Sequence, residues 1–447
     1  MQPVQAKAEM SSGALVEGIF EDTVARKVSL RIVPFLLVCY VVSYLDRINI
    51  GFAKFQMQDT LGFSDAIYGM GAGVFFIGYM FFEIPSNVFM KRIGAKKTLS
   101  RIMLLWGLVG CCMALVSTPM QFYVCRFLLG ACEAGFAPGV IYYISCWFPK
   151  RRQGKALGVF FSGIPIAGLI GGPASGWVLT HFDGLTGMHG WQWMFVLQAA
   201  PAILLGVIAY CLLDDDISRA KWLSSDERRY LEMEIASEID VTRSGHAPRI
   251  ADFGDVRLYL MALSYFTFIC GTYALSFWLP SMLKNAGLKD NLSIGLYSAI
   301  PFAVSAVGMV LLCKSSDRSG ERRWHTALSA IVGGAALAAI PFVPNTLFCA
   351  CTLLAIAATT IFATISLFWT MPSEYFAGSP GAAGSIALIN SIALTGGFLS
   401  PFVIGWIKTA TGSLVGGLYL ISAVLAIGGI LLLVSVPKHL VKRHASV

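Results

Sequence analysis

Apolar residues run along this chain in long unbroken blocks, not in the alternation of a half-buried strand or the one-sided stripe of a soluble helix. The stretches RIVPFLLVCYVVSYL (31–45) and AIYGMGAGVFFIGYMFF (66–82) set the pattern, and ten more like them follow. Each is close to the ~20 residues that cross a bilayer core as a helix. The pattern predicts twelve spans, at 29–48, 66–90, 99–117, 121–146, 155–179, 192–213, 256–283, 292–313, 325–343, 347–371, 381–404 and 414–436. Breakers recur inside them, as in Gly163-Ile164-Pro165. A helix in lipid tolerates these when neighbouring helices take up the freed backbone groups. The expected fold class is therefore all-α, a polytopic membrane protein.

Composition agrees. Of 447 residues, 56% are hydrophobic and only 13% charged, about half the charged share of a soluble domain. Between Trp324 and Val436 the only Asp, Glu, Lys or Arg residues are Glu374 and Lys408, as for four helices in lipid joined by very short loops. The formal charge of +8 is modest and sits in alternate loops rather than one stripe, which argues for membrane orientation and against a nucleic-acid partner. Lys91, Arg92, Lys96, Lys97 and Arg101 follow the second span, Lys150, Arg151, Arg152 and Lys155 the fourth, Lys314, Arg318, Arg322 and Arg323 the eighth, and Lys438, Lys442 and Arg443 the last. The loops after the third, fifth and ninth spans carry no Lys or Arg. This distribution places both termini in the cytoplasm.

The expected organisation is a flexible cytoplasmic tail (1–28), a six-helix bundle (29–213), a cytoplasmic linker (214–255), a second six-helix bundle (256–436) and a short cytoplasmic tail (437–447). The linker mixes charges with Trp222, Leu223, Tyr230, Leu231 and Ile235, and Ser224 or Ser225 with Glu227 can cap a surface helix there. The halves echo each other. Leu61-Gly62-Phe63 with Ile67-Tyr68-Gly69 precedes the second span, and Ala286-Gly287-Leu288 with Ile294-Gly295-Leu296-Tyr297 precedes the eighth. Lys91–Lys97 and Asp317–Arg323 follow those same spans. Duplicated halves are the layout of carriers that rock about a central site.

Eleven Cys lie without regular spacing, mostly in apolar runs such as those holding Cys39, Cys111, Cys112, Cys125 and Cys132, and read as buried core residues. The six His sit in loops, at a helix start or in the tail. No metal site, cofactor or catalytic triad follows, and no Walker-type phosphate loop occurs. An enzyme is not the expectation, nor is a sensor, since no long signalling segment flanks the spans.

The candidate chemistry is four ionisable residues at membrane depth. Asp46 and Arg47 are neighbours at the end of the first span, where they either anchor the helix at the interface or, if the helix continues through Ile50-Gly51-Phe52-Ala53, enter the protein interior. Arg126 and Glu133 lie seven residues apart in YVCRFLLGACEAGF, on one helix face about 10 Å apart. They make either a structural ion pair with a neighbouring helix or a transport site. A fixed guanidinium attracts an anion into a low-dielectric cavity, and a desolvated carboxyl can take the accompanying proton.

Tyr44-Leu45-Asp46-Arg47-Ile48-Asn49-Ile50-Gly51-Phe52-Ala53, Phe82-Glu83-Ile84-Pro85-Ser86-Asn87, Arg126 through Glu133 to Pro138, Gly190-Trp191-Gln192-Trp193-Met194-Phe195 and Asp317-Arg318-Ser319-Gly320-Glu321-Arg322-Arg323 together resemble the anion:cation symporter family of the major facilitator superfamily. The resemblance covers essentially the whole chain. It departs at Lys91–Lys97, which lacks the acidic residue of the second-half copy. It implies the twelve-helix major facilitator fold and a bacterial inner-membrane importer of a small organic anion with a co-transported proton, among relatives that carry tartrate, phthalate, sugar acids and hydroxyphenylacetate. The implied proton-coupling groups are Asp46 and Glu133. The implied substrate-binding groups are Arg47, Arg126, Tyr44, Tyr79, Asn390, Ser366 and Trp369. The two tyrosines can equally be interfacial, and Asn390 can simply bond a neighbouring helix. Sugar-acid members carry a long amide in the fifth span, where this chain is apolar from Phe160 to Ile166 except for Ser162. That favours a small dicarboxylate or an aromatic acid. An exchanger or exporter of the same fold is the alternative, and a monomer is the expected working unit.

Overall fold

The computed structural model describes residues 2–243, 254–344, 346–376 and 382–436. The linker end with His246, the 377–381 loop, and the tail with Lys438, Lys442, Arg443, His439 and His444 lie outside the described residues. Among those described, twelve helical spans are long and apolar enough to cross a membrane, matching the sequence pattern one for one. The first span is α1 (Gln2–Ile48) with α2 (Ile50–Leu61), and the second and third are α3 (Asp65–Ile93) and α4 (Ala95–Cys112). The fourth is α5 (Pro119–Glu133) with α6 (Phe136–Trp147), the fifth α7 (Lys150–Phe161) with α8 (Gly163–His181), and the sixth α9 (Gly190–Leu212). After the linker helix α10 (Ser225–Arg243) come α11 (Val256–Asn285), α12 (Asn291–Ser319) and α13 (Arg322–Ala339). The tenth span is α14 (Leu347–Phe368) with α15 (Thr370–Tyr375), and α16 (Ala382–Thr411) and α17 (Val415–Ser435) complete the bundle.

Polar caps fix where several spans start. Ser64 accepts from the Ile67 amide, Asp290 from Ser293, Glu321 from Trp324 and Thr346 from Cys349. Thr118 and Gln121 form a reciprocal capping box ahead of Pro119. Each satisfies an amide that has no partner within its own helix.

Two expectations change. The 1–28 tail, expected to be flexible, is helical from Gln2 and continuous with the first span. Its last turns are docked, with Val24 and Val28 fully buried and Lys27 bonded to Glu227 at 2.7 Å. The fourth span is not one helix. It breaks at Ala134 (ψ 131°) and Gly135 (φ 88°), a left-handed position that glycine adopts at little cost. The break falls immediately after Glu133. The linker helix forms as expected: the Ser224 hydroxyl accepts from the Glu227 amide, and the Glu227 carboxylate accepts from the Ser224 amide.

The two halves meet along α3 with α16 and α8 with α12. Glycines set the closest approach. Gly69 lies against Pro401 and Gly405, and Gly172 and Gly176 lie against Ser298, Gly295 and Asn291, leaving no room for a Cβ. The small-residue run from Gly168 to Gly176 is therefore a packing face, as its composition suggested. These contacts gather at the face opposite α10, here called the far face. Toward the near face, α3 loses its cover, and Phe81, Phe82, Ile84, Val88 and Phe89 are exposed. The cleft between the halves is sealed at the far face and open at the near face.

Candidate functional site

Asn49 joins α1 to α2 in the middle of a buried stretch, so Asp46, Asn49 and Lys54 lie inside the protein with at most 3% of their surface exposed. The interfacial-anchor reading of Asp46 and Arg47 is thereby excluded. Their side chains point apart, as neighbours on a helix must. Asp46 turns to α4, where its Oδ2 accepts from the Trp106 indole at 2.6 Å. Arg47 turns to α5, where its guanidinium meets Glu133 Oε1 at 2.5 Å.

The Arg47–Glu133 pair is the centre of the site. Ser43, one turn before Arg47, donates to the same Glu133 oxygen at 2.6 Å. The second terminal nitrogen of Arg47 donates to the Tyr273 hydroxyl on α11 at 3.0 Å, across the boundary between halves. The Glu133 Oε2 atom is buried and has no partner among the described residues. A desolvated carboxylate tolerates that only because Arg47 and Ser43 compensate its charge on the other oxygen.

Arg126, two turns before Glu133, is fully buried. Its Nε donates to the Gly71 carbonyl at 3.1 Å, while both terminal nitrogens lack a partner among the described residues. Phe75 ties the two cations together, with the Arg126 guanidinium 5.0 Å and that of Arg47 5.2 Å from its ring centre. The Tyr79 ring lies 5.5 Å from Arg47. Arg47, Arg126, Glu133 and Tyr79 are thus brought together, with Asp46 directly behind them.

The other expected residues are more scattered. Tyr44 is buried, packed with Ile48 and Ala167 and within electrostatic reach of Arg47 and Tyr273. Trp369 uses its indole N–H on the Tyr265 hydroxyl at 2.9 Å. Ser366 is exposed and directs its hydroxyl to the Met309 sulfur on α12 at 3.4 Å. Asn390 is half-buried on α16.

Sequence reasoning missed Ser43, Tyr273, Trp106 and Phe75. Ser43 was findable, since it stands four residues before Arg47 and shares its face. Tyr273 and Trp106 depend on which helix faces which, and nothing local encodes that. A second cluster was also missed, at the far face. Lys54, whose side chain is 0% exposed, bonds Asp65 at 2.6 Å, and Lys408 reaches the same carboxylate at 3.2 Å from α16. Lys54 also donates to the Ser281 hydroxyl at 3.1 Å and lies 4.0 Å from the Trp278 ring centre, both on α11. The Tyr68 hydroxyl donates to the Phe277 carbonyl at 2.8 Å, and the Ala66 amide to Thr409 at 2.8 Å. All but the Lys54–Asp65 bond cross between halves.

Residues 36–394 match the family model described as Major Facilitator Superfamily. The chain is 42% identical over 418 residues to a protein of Agrobacterium vitis provisionally named a tartrate transporter, covering 93% of this chain and 95% of that one. It is 40% identical over 415 residues to a quinolone resistance transporter of Acinetobacter baumannii, covering 92% and 94%. Among solved structures, a bacterial homologue of the human lysosomal transporter Spinster, in an inward-facing and occupied conformation, superposes with a TM-score of 0.69 at 17% identity, covering 90% of this chain and 94% of that one.

Proposed function

This chain belongs to the Major Facilitator Superfamily and is a multi-pass membrane transporter, and on that premise we propose that it imports a small organic anion together with protons across the bacterial inner membrane. One observation carries the reading: Arg47 is held by Glu133 while both terminal nitrogens of buried Arg126 lack a partner among the described residues.

The charges supply the coupling. With Asp46 and Glu133 ionised, two acids balance Arg47 and Arg126, and the cavity is neutral without substrate. An anion arriving then adds uncompensated charge at membrane depth, which is costly. Protonating Glu133 removes its hold on Arg47, and the two guanidiniums flanking Phe75 are left to grip a carboxylate by paired N–H bonds. One proton offsets one negative charge, so a dianion calls for both acids. Leaving reverses the order: Glu133 gives up its proton, recaptures Arg47, and the anion loses one of its two cations. The near-face opening is the state in which that release would occur. The substrate class we favour is a small dicarboxylate, hydroxy acid or aromatic carboxylate, supported by the provisionally named tartrate relative and by the aromatic surroundings of Phe75, Tyr79 and Tyr273.

The test is uptake into proteoliposomes with an inward proton gradient, using radiolabelled tartrate, phthalate, succinate, galactonate and 4-hydroxyphenylacetate. Accumulation of one compound that collapses with a protonophore is expected. Transport of a panel member that ignores the proton gradient overturns the coupling. The second reading, an exporter or exchanger, is favoured by the quinolone resistance relative. It predicts counterflow without accumulation, or efflux of a quinolone.

A further inference from the structure

A proton released by Glu133 has to leave toward the near face, and an ionisable group beside that path can carry it. Span two offers one acid for it. Glu83 follows Tyr79 by four residues on α3, one turn nearer the open face and on the same side of the helix. Its carboxylate is half-buried and makes no hydrogen bond or ion pair with any described residue. An ionisable group left unpaired within a span is expensive and serves little structural purpose.

Helix packing sets its depth. On α5, Gly130 rests against the backbone of Phe75 and Tyr79, and beyond the break Gly135 rests against Ser86. Glu133 lies between those two contacts, so Glu83 stands beside the break that follows Glu133. Tyr79 connects them: it stands one turn before Glu83 on α3, and its ring lies 5.5 Å from Arg47, which bonds Glu133. Tyr79 from its own helix is the titratable group that faces Glu83, and Arg47 of α1 and Glu133 of α5 lie beyond it. The described part of α16 carries no acid, and its single lysine, Lys408, is at the far face. The neighbours of Glu83 in sequence, Phe82 and Ile84, are exposed.

We propose that Glu83 is the near-face proton relay of this carrier, taking the proton that Glu133 releases and passing it to near-face water. The proposal rests on the proton-coupled reading above. The steps balance. The protonated Glu133 carboxyl gives its proton, through water, to the Glu83 carboxylate; Glu133 regains its charge and its bond to Arg47. The protonated Glu83 then gives the proton to water and is again a carboxylate. Glu83 makes no bond to Arg126, so it governs the rate of proton exit and not substrate affinity.

The experiment compares wild type, E83Q and E83D in proteoliposomes with radiolabelled tartrate, or with whichever panel anion the wild type accumulates. Expected for E83Q is a loss of about tenfold in gradient-driven uptake. Counterflow at equal pH should stay within about twofold of wild type, since that exchange needs no net proton movement. E83D should restore most of the gradient-driven rate. A coupled wild type beside an E83Q variant with the same rate and pH profile overturns the relay alone. Equal loss of counterflow and gradient-driven uptake, without rescue by E83D, assigns Glu83 a structural part and also overturns it. A wild type indifferent to the gradient removes the coupled reading and the relay with it.

Discussion

Replacing Asp65 by Asn strands Lys54 where no water reaches it. In the far-closed state the Lys54 side chain is 0% exposed, and Asp65 is its one acidic partner among the described residues. What remains is the Ser281 hydroxyl and the Trp278 ring, neither of which carries a charge. Removing one member of a fully buried pair costs about 3–5 kcal/mol. The Asp65 side chain is 19% exposed, so some water relieves the loss, and about 2–3 kcal/mol is the reasonable expectation here. Once the far face opens, Lys54 leaves its seat beneath α11 and hydrates, so the cost falls on the closed state alone. That is a shift of about 30- to 150-fold toward the far-open conformation. Lys408→Ala breaks the other arm, where both side chains are partly exposed, and should shift the balance only about two- to fivefold. The assay is the distance distribution between spin labels at Thr186 and Lys289, two exposed far-face loop positions on opposite halves, after the exposed Cys112 and Cys211 are changed to Ser. A long-distance population that is small in wild type should dominate in D65N and rise slightly in K408A. Superimposable distributions for D65N and wild type would refute the latch. Equal effects of the two variants would refute the ranking by burial.

Three further outcomes are expected. Glu133→Gln removes the charge that holds Arg47 and should abolish proton-driven accumulation while counterflow stays within about threefold of wild type; normal accumulation by E133Q rules out its coupling role. Arg126→Lys keeps the charge and loses the fork, so half-maximal uptake should need about 10- to 100-fold more substrate, and an unchanged concentration dependence would remove Arg126 from the binding site. On the linker, partial burial raises the Glu227 carboxyl, but Lys27 and the Ser224 cap outweigh it and hold it below its ordinary value of 4.5. Its contribution to docking of α10 is then complete above that value and fades as pH falls through the lowered one. Hydrogen exchange over 225–235, corrected for intrinsic rates, should show protection loosening only below about pH 4; loosening that begins near neutrality contradicts this.

The spans were legible because lipid demands long apolar runs, and that demand is written locally in every stretch from 31–45 onward. The break at Gly135 was not, since glycine is common inside these helices and nothing marks which one adopts positive φ. Asp46, Arg47, Arg126 and Glu133 stood out because charge at membrane depth is rare, yet their partners did not. That Asp46 faces Trp106, and that Arg47 rather than Arg126 takes Glu133, follows from the rotation of α1 against α4 and α5, a property of packing between helices 60 to 90 residues apart in sequence. The Lys54–Asp65–Lys408 cluster was hidden for a simpler reason: Asp65 and Lys408 stand at span ends, where charges usually meet solvent.

The position of the charges also explains why the two halves, alike in layout, cannot be alike in role. The four central ionisable residues all come from the first half, while the second meets them with neutral Tyr273. A carrier that rocks one half against the other then keeps its acids and bases in fixed register through the whole cycle. Protonation of Glu133 can reset Arg47 without waiting for the halves to move, and the second half senses the change through the hydrogen bond from Arg47 to Tyr273. The far-face cluster is built the opposite way, with Lys408 crossing to Asp65, so it can exist only when that face is shut. Chemistry is thus kept within one half and gating between the two. Loss of the Tyr273 hydroxyl should therefore weaken the coupling between protonation and rocking while leaving the Arg47–Glu133 pair itself intact.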